Sequence, residues 1–304
     1  MRTVFLGTSE FAAGVLERLA ASTHRPALAV SRPDRPKGRG RKLASPPLAK
    51  RAQTLGIPLA QPESVNTPEV LAQIENLRPD ILLVCAFGAL IKEPLLSSHP
   101  MLNVHPSLLP RWRGAAPIER AIMAGDDRTG VCIMQLTAGL DSGPVCLAAQ
   151  EPIGAQDDYG SLAQRLCVLG GELLVQALDR MGGGQQLSFQ EQDESQATYA
   201  EKIEAADRLL DPVCTAIELE RVVRALHPHI GARLALPDGS MLGVHRARAM
   251  PALDEVEVRQ GELSVHGEHL LYGLAGAQAL ELLEVQPAGG KAMDAKAYMR
   301  GHAF

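Results

Sequence analysis

Val4-Phe5-Leu6-Gly7-Thr8-Ser9-Glu10-Phe11-Ala12-Ala13-Gly14-Val15-Leu16-Glu17-Arg18-Leu19 passes from a short apolar run, through a Gly-Thr-Ser break, into a stretch where Phe11, Val15, Leu16 and Leu19 recur at helical spacing. It reads as strand, turn and helix in that order, and the alternation continues downstream. Residues 27–30 predict a second strand, 46–55 and 70–77 two helices, and Ile81–Cys85 a buried strand. Chains that alternate in this way build largely parallel sheets covered by helices on both faces. A further strand at 102–104, a helix at 118–124, strands at 131–136 and 144–149, and a long amphipathic helix over 160–181 complete an α/β unit.

Gly182-Gly183-Gly184-Gln185-Gln186 then breaks the pattern, and the polar stretch up to about Ala206 reads as a linker. Beyond it the composition changes. One helix at 215–226 precedes short β-like runs at 232–236, 241–247, 261–265 and 279–286, separated by turns such as Pro237-Asp238-Gly239. Short strands punctuated by turns suggest a small barrel or sandwich. The expected layout is a catalytic domain at 1–184, a linker at 185–206 and a smaller β domain at 207–304, in keeping with a chain of 304 residues.

The five cysteines, Cys85, Cys132, Cys146, Cys167 and Cys214, are scattered without C-x-x-C spacing, which suits reduced thiols and argues against a cysteine-based metal site. No export signal or membrane-length apolar run is evident, so a cytoplasmic protein is expected. A net charge of −5 gives no global hint of a nucleic-acid partner, but the charge is uneven. Between Ser31 and Arg51 eight basic residues, among them Arg39, Arg41 and Lys42, face the single acid Asp34. Interleaved with Pro33, Pro36, Gly38 and Gly40, this run cannot pack as a regular helix, and it extends from a strand end.

The stretch richest in chemistry is Asn103-Val104-His105-Pro106-Ser107-Leu108-Leu109-Pro110-Arg111-Trp112-Arg113-Gly114-Ala115-Ala116-Pro117. It starts at the end of an apolar strand, where open α/β sheets bind ligands. In an extended segment Asn103 and His105 point to the same side, so an amide donor and an imidazole converge, a pairing suited to stabilising an oxyanion. Pro106 and Pro110 stiffen the loop that follows. Gly139-Leu140-Asp141-Ser142-Gly143 offers a carboxylate in a glycine-flanked turn between two strands. Taken singly, each of the three is more often a satisfied polar or turn-forming residue than a catalyst. Together with the Ser-Leu-Leu-Pro loop they carry more weight.

These segments resemble the folate-dependent formyltransferases, most closely those that act on methionyl-tRNA. The resemblance extends through Gly7–Ala12, Arg32-Pro33-Asp34-Arg35-Pro36-Lys37-Gly38-Arg39-Gly40, Ala86-Phe87-Gly88, Thr198-Tyr199-Ala200-Glu201-Lys202-Ile203 and Gln286-Pro287-Ala288-Gly289-Gly290-Lys291-Ala292-Met293. It thus spans nearly the whole chain, in order. It implies a Rossmann-like, mostly parallel catalytic domain and a C-terminal OB-like β-barrel. It also implies transfer of the formyl group of 10-formyltetrahydrofolate to the amino group of initiator methionyl-tRNA, without a metal. Asn103, His105 and Asp141 match the family's catalytic triad. Ser107, Leu108, Leu109 and Pro110, with Phe87 and Gly88, match its folate site, and Arg39, Arg41 and Lys42 are the candidates for tRNA phosphates. A monomer is expected.

Formyl transfer needs a neutral amine, stabilisation of a developing O⁻, and proton transfer to the departing nitrogen. The Asn103 amide and a protonated His105 would serve the oxyanion, where one donor is worth about 3–4 kcal/mol, and Asp141 would complement the imidazolium. Other readings remain at this point. A serine hydrolase built on Ser107 lacks a G-x-S-x-G elbow, and a dinucleotide oxidoreductase lacks G-x-G-x-x-G. A plain RNA-binding module leaves the Asn-His-Asp set unexplained. Formyl transfer to a nucleotide or sugar amine, and hydrolysis of formyl-folate, are nearer alternatives. The C-terminal residues 207–304 hold ten Lys/Arg against thirteen Asp/Glu, so RNA contact there needs a local patch such as Arg221, Arg224, Arg246 and Arg248.

Overall fold

A computed structural model describes residues 1–37, 42–250 and 258–302. Two compact units emerge. The first comprises Met1–Gly114, Thr129–Pro152 and Ala163–Tyr199, and the second Ala115–Arg128, Ile153–Leu162 and Ala200–Phe304.

In the first unit the opening apolar run forms β1 (Thr3–Gly7), every residue of it buried. The Gly-Thr-Ser break turns the chain into α1 (Glu10–Ala20), where the Ser9 side chain accepts the Ala12 N–H at 3.2 Å and so satisfies one of the orphan donors of the first turn. Gly7 has to be glycine, because a Cβ there would lie within 3 Å of the Ala12 side chain and the Cys85 carbonyl. The chain continues through β2 (Leu28–Val30), a short hairpin of β3 (Arg35–Lys37) and β4 (Lys42–Ala44), α2 (Pro47–Thr54), β5 (Leu59–Ala60) and α3 (Pro68–Leu77). Then come β6 (Ile81–Cys85), a single turn α4 (Leu95–Ser98), β7 (Met101–His105), β8 (Arg113–Gly114) and α5 (Pro117–Ala124), the last grouped with the second unit. β9 (Arg128–Gln135), β10 (Val145–Pro152), the 24-residue α6 (Tyr159–Gly182) and β11 (Tyr199–Ala200) follow.

The seven-stranded sheet has the order β10-β9-β7-β6-β1-β2-β5. It is parallel from β5 to β7 and antiparallel between β7 and β9. Val4, Phe5, Leu6, Leu82 and Leu83 are fully buried at its centre, the near-continuous apolar reading expected of strands covered on both faces. This inward chain order brings the carboxyl ends of β1, β6 and β7 side by side.

In the second unit α7 (Ala216–Leu226) starts at a capping box in which the Glu218 N–H donates to the Thr215 hydroxyl and the Thr215 N–H to the Glu218 carboxylate. Its apolar stripe, Leu219, Val223 and Leu226, packs on Leu234, Leu242, Val244, Leu280 and Leu282. These lie on an antiparallel sheet of β12 (Ala232–Ala235), β13 (Met241–Met250), β14 (Leu263–His266), β15 (His269–Gly273), β16 (Ala279–Gln286) and β17 (Met293–Asp294), in the order β12-β13-β16-β15-β14 with β17 on β16. The terminal α8 (Ala295–Arg300) adds Tyr298 to that core.

Candidate active site

Asn103 and His105 both lie in β7, two residues apart, and both side chains are at least nine-tenths buried. They meet one carboxylate. Asn103 Nδ2 donates to Asp141 Oδ1 at 3.3 Å, and His105 Nδ1 lies 3.5 Å from Asp141 Oδ2. That same Oδ2 accepts the Gly114 backbone N–H at 2.9 Å. The other ring nitrogen, His105 Nε2, is 2.9 Å from the Trp112 carbonyl. A carbonyl can only accept, so Nε2 carries a proton in this arrangement, and an Nδ1 that also carries one is complemented by Asp141. The Asn103 amide has a second N–H beyond the one directed at Asp141.

Three of the loops around this cluster hold residues outside the ordinary backbone regions. Ala86 after β6 (φ +43°), Trp112 in the loop after β7 (φ +63°) and Asp141 between β9 and β10 (φ +44°) all adopt left-handed conformations without being glycine. Such positions cost of order 1–3 kcal/mol each and persist where surroundings fix them. For Trp112 and Asp141 the fixing groups come from residues 190–199. Gln190 bridges Val145 through two backbone hydrogen bonds of 2.8 and 2.9 Å. Gln192 donates to the carbonyls of Asp141 and Gly143 at 2.8 and 2.7 Å. Glu194 receives the buried Arg113 in a two-point pair of 2.9 and 2.7 Å, which keeps that guanidinium more firmly charged than usual. Thr198 accepts the N–H groups of Trp112 and Arg113, at Oγ1 and at its carbonyl, and donates its own N–H to the Pro110 carbonyl.

The sequence reading of 185–206 as a linker found no sign of these contacts. Gln192, Thr198 and Arg113 look like ordinary polar residues until the fold returns them to the loops. The nearest signal is the Thr198–Ile203 block, which belongs to the family resemblance but carries no assigned task.

The residues expected at the folate fall at the carboxyl ends of β6 and β7. Leu108, Leu109 and Pro110 are half-buried, so they offer apolar surface, while Gly88 is exposed. Phe87 belongs to the core, with its carbonyl accepting the Thr8 hydroxyl at 2.6 Å. Ser107 is fully buried and donates to the Arg111 carbonyl at 2.6 Å. Its hydroxyl closes the loop, which leaves the serine-hydrolase reading without a nucleophile. In the basic segment, Arg32 donates to the Gly88 carbonyl and Arg35 pairs with Glu63. Hydrogen bonds from Gln61 and then Ser45 hold Asp34 below the usual carboxylate range. Lys42 is exposed in β4, whereas Arg39 and Arg41 lie outside the described residues.

Burial pushes the thiols of Cys132, Cys146 and Cys167 up to about 11, and that of Cys85 well up. Each is therefore a poor nucleophile near neutral pH. Among the described residues no group of three or more His, Cys, Asp and Glu side chains is placed to hold a metal ion, and no helix is long and apolar enough to cross a membrane.

Comparison with known proteins agrees with this geometry. Residues 1–178 match the formyl transferase family, and residues 202–303 match the formyl transferase C-terminal domain. A methionyl-tRNA formyltransferase of Methylococcus capsulatus is 42% identical over 307 aligned positions, covering 100% of this chain and 98% of the relative. Among solved structures, HypX from Aquifex aeolicus in complex with tetrahydrofolic acid superposes with a TM-score of 0.67 at 17% identity over 98% of this chain, which spans about half (47%) of that longer protein. An N-formyltransferase from Helicobacter canadensis, in complex with folinic acid and dTDP-3-aminofucose, has a TM-score of 0.66 at 14% identity and covers 93% of this chain and 98% of its own. At those identities the structural likeness carries the fold alone. The full-length match is what carries the assignment: the chain belongs to the formyl transferase family, within the group of methionyl-tRNA formyltransferases.

Proposed function

We propose that this chain transfers the formyl group of 10-formyltetrahydrofolate to the amino group of initiator methionyl-tRNA, and that Asn103, His105 and Asp141 carry the reaction. The observation that supports this most strongly is the convergence of an amide and an imidazole from one strand onto a single carboxylate. The folate supplies an activated one-carbon unit when bound. Leu108, Leu109 and Pro110 offer apolar surface to its flat ring system, and the peptide groups around Phe87 and Gly88 offer polar edges.

The second N–H of Asn103 donates to the oxygen on which charge develops, and a protonated His105 shares that task when its Nε2–H exchanges the Trp112 carbonyl for that oxygen, the electrostatic contribution that is commonly the largest in acyl transfer. Asp141 complements the imidazolium and, directly or through water, takes a proton from the attacking amine that is passed on to the folate nitrogen as its bond to the formyl carbon breaks. Residues 1–184 act as the catalytic domain, with 190–199 folded back onto its loops, and 207–304 act as the tRNA-binding domain; the family matches over 1–178 and 202–303 support this two-part division. Arg39, Arg41 and Lys42 hold phosphates, and the enzyme works in the cytoplasm as a monomer.

Incubation with 10-formyltetrahydrofolate and charged initiator tRNA should yield N-formylmethionine on the tRNA. A preparation that formylated only a small nucleotide-linked amine, or that only hydrolysed the formyl-folate, would exclude the acceptor named here.

A further inference from the structure

We infer that Gln192 is a positioning residue for the transfer: it fixes the turn that presents Asp141 to His105 and Asn103. The inference rests on the catalytic reading above and extends it to a residue some fifty positions away in the chain.

Asp141 sits at φ +44° in a turn bounded by glycines, a conformation a short polar side chain tolerates but does not prefer. Nothing in the local sequence forces it there. The Gln192 amide spans the turn, one N–H on the Asp141 carbonyl and one on the Gly143 carbonyl. Its own oxygen accepts Arg113 Nε at 3.0 Å, so the amide cannot flip without losing all three bonds. Arg113 in turn is only 2% exposed and is anchored on Glu194. The residue after it, Gly114, gives its N–H to the Asp141 carboxylate. One buried guanidinium thus fixes Asp141 twice, through the backbone by way of Gln192 and through the carboxylate by way of Gly114. Gln192 is also pinned along the chain, because Gln190 pairs with Val145 at the start of β10, just past the same turn.

A residue that acts only on stability and one that acts through Asp141 give different thermodynamic cycles. Single-turnover rates and substrate KM values should be measured for wild type, Gln192→Leu, Gln192→Glu, Asp141→Ala and the two double variants. Gln192→Leu should lose on the order of tenfold to a hundredfold in rate, with both KM values near wild type and a lowered melting midpoint, because Arg113 Nε loses its acceptor. Gln192→Glu keeps the acceptor for Arg113 but lacks the two donors, and should fall equally. In the Asp141→Ala background the same changes should add less than about a further twofold, since the group being positioned is gone.

If Gln192→Leu and Gln192→Glu multiplied their full losses onto Asp141→Ala, or kept wild-type rates alone, the positioning role would be wrong. Should Gln192→Leu not fold, the isosteric Gln192→Glu still completes the cycle. An Asp141→Ala enzyme with wild-type turnover would overturn the catalytic reading itself, a result distinct from an additive pair.

Discussion

Asn103 spends one N–H on Asp141 and keeps the other for the reaction, whereas His105, with Nδ1 facing Asp141 and Nε2 on the Trp112 carbonyl, has to exchange the latter bond for the substrate, so truncating either removes a donor and loosens its neighbour. Asn103→Ala and His105→Ala are each expected to lower kcat by roughly 10²-fold or more, with the folate still bound and the fold intact. Retention of more than about a tenth of wild-type turnover would falsify the assignment. Asp141→Asn keeps the shape and the acceptor for Gly114 but loses the charge, and should cost about 10²-fold or more in kcat. A turn-forming role alone would instead lower the melting midpoint and leave kcat near wild type, which thermal melts alongside steady-state rates will separate.

At the scale of elements, the path from sequence to site runs through β7. Its alternation places Asn103 and His105 on one side, and it was the resemblance of the whole Asn103–Pro117 segment to a known family that singled the two out among ordinary polar residues. Asp141 was legible only as a carboxylate in a glycine-bounded turn, and its partners come from the folded chain. Most of the strands and helices were visible as apolar periodicity. The short pieces, β3, β4, β5, α4, β8, β11, β15, β17 and α8, were not, because two to six residues carry too little pattern, and β15 because its five residues follow β14 across a tight turn. Residues 190–199 were invisible for a different reason: Gln192 and Thr198 act through contacts 49 and 86 residues away, which no local pattern encodes. β9 carries a further element-scale consequence. A Cβ on Gly130 would run into the Ala149 carbonyl of β10 on one side and the Leu108 side chain on the other. Gly130→Ala should therefore push Leu108 out of place, raise the KM for the folate and lower the melting midpoint. A variant with both parameters unchanged would show that Leu108 has room to yield.

For the molecule as a whole, an overall charge of −5 opposes a polyanionic acceptor, so affinity has to come from local cations. Arg32 and Arg35 are engaged by the Gly88 carbonyl and Glu63, and Lys42 is exposed, while Arg39 and Arg41 lie outside the described residues. Replacing Arg39, Arg41 and Lys42 together with alanine should raise the KM for tRNA, spare the KM for folate and flatten the salt dependence, each lost contact removing a slope of roughly 0.7–0.9 in log affinity against log salt. Equal kcat/KM and an equal salt slope in the triple variant would reduce the run to a solvated surface. The buried thiol of Cys132 and the half-buried ones of Cys146 and Cys167 make a separate global prediction. With Cys132, Cys146 and Cys167 pushed up to about 11, alkylation by iodoacetamide at pH 8 should be slow in the native protein and fast once it is denatured. Rapid native labelling of any of the three, mapped by mass spectrometry, would contradict their burial. The stretch that ties down Trp112, Arg113 and Asp141 has a bearing on how such a chain can be recombined with its homologues. Gln192, Glu194 and Thr198 have to be inherited with the loops they hold, so a crossover near residue 184 would split a co-adapted set, whereas one placed just after Tyr199 would keep it together.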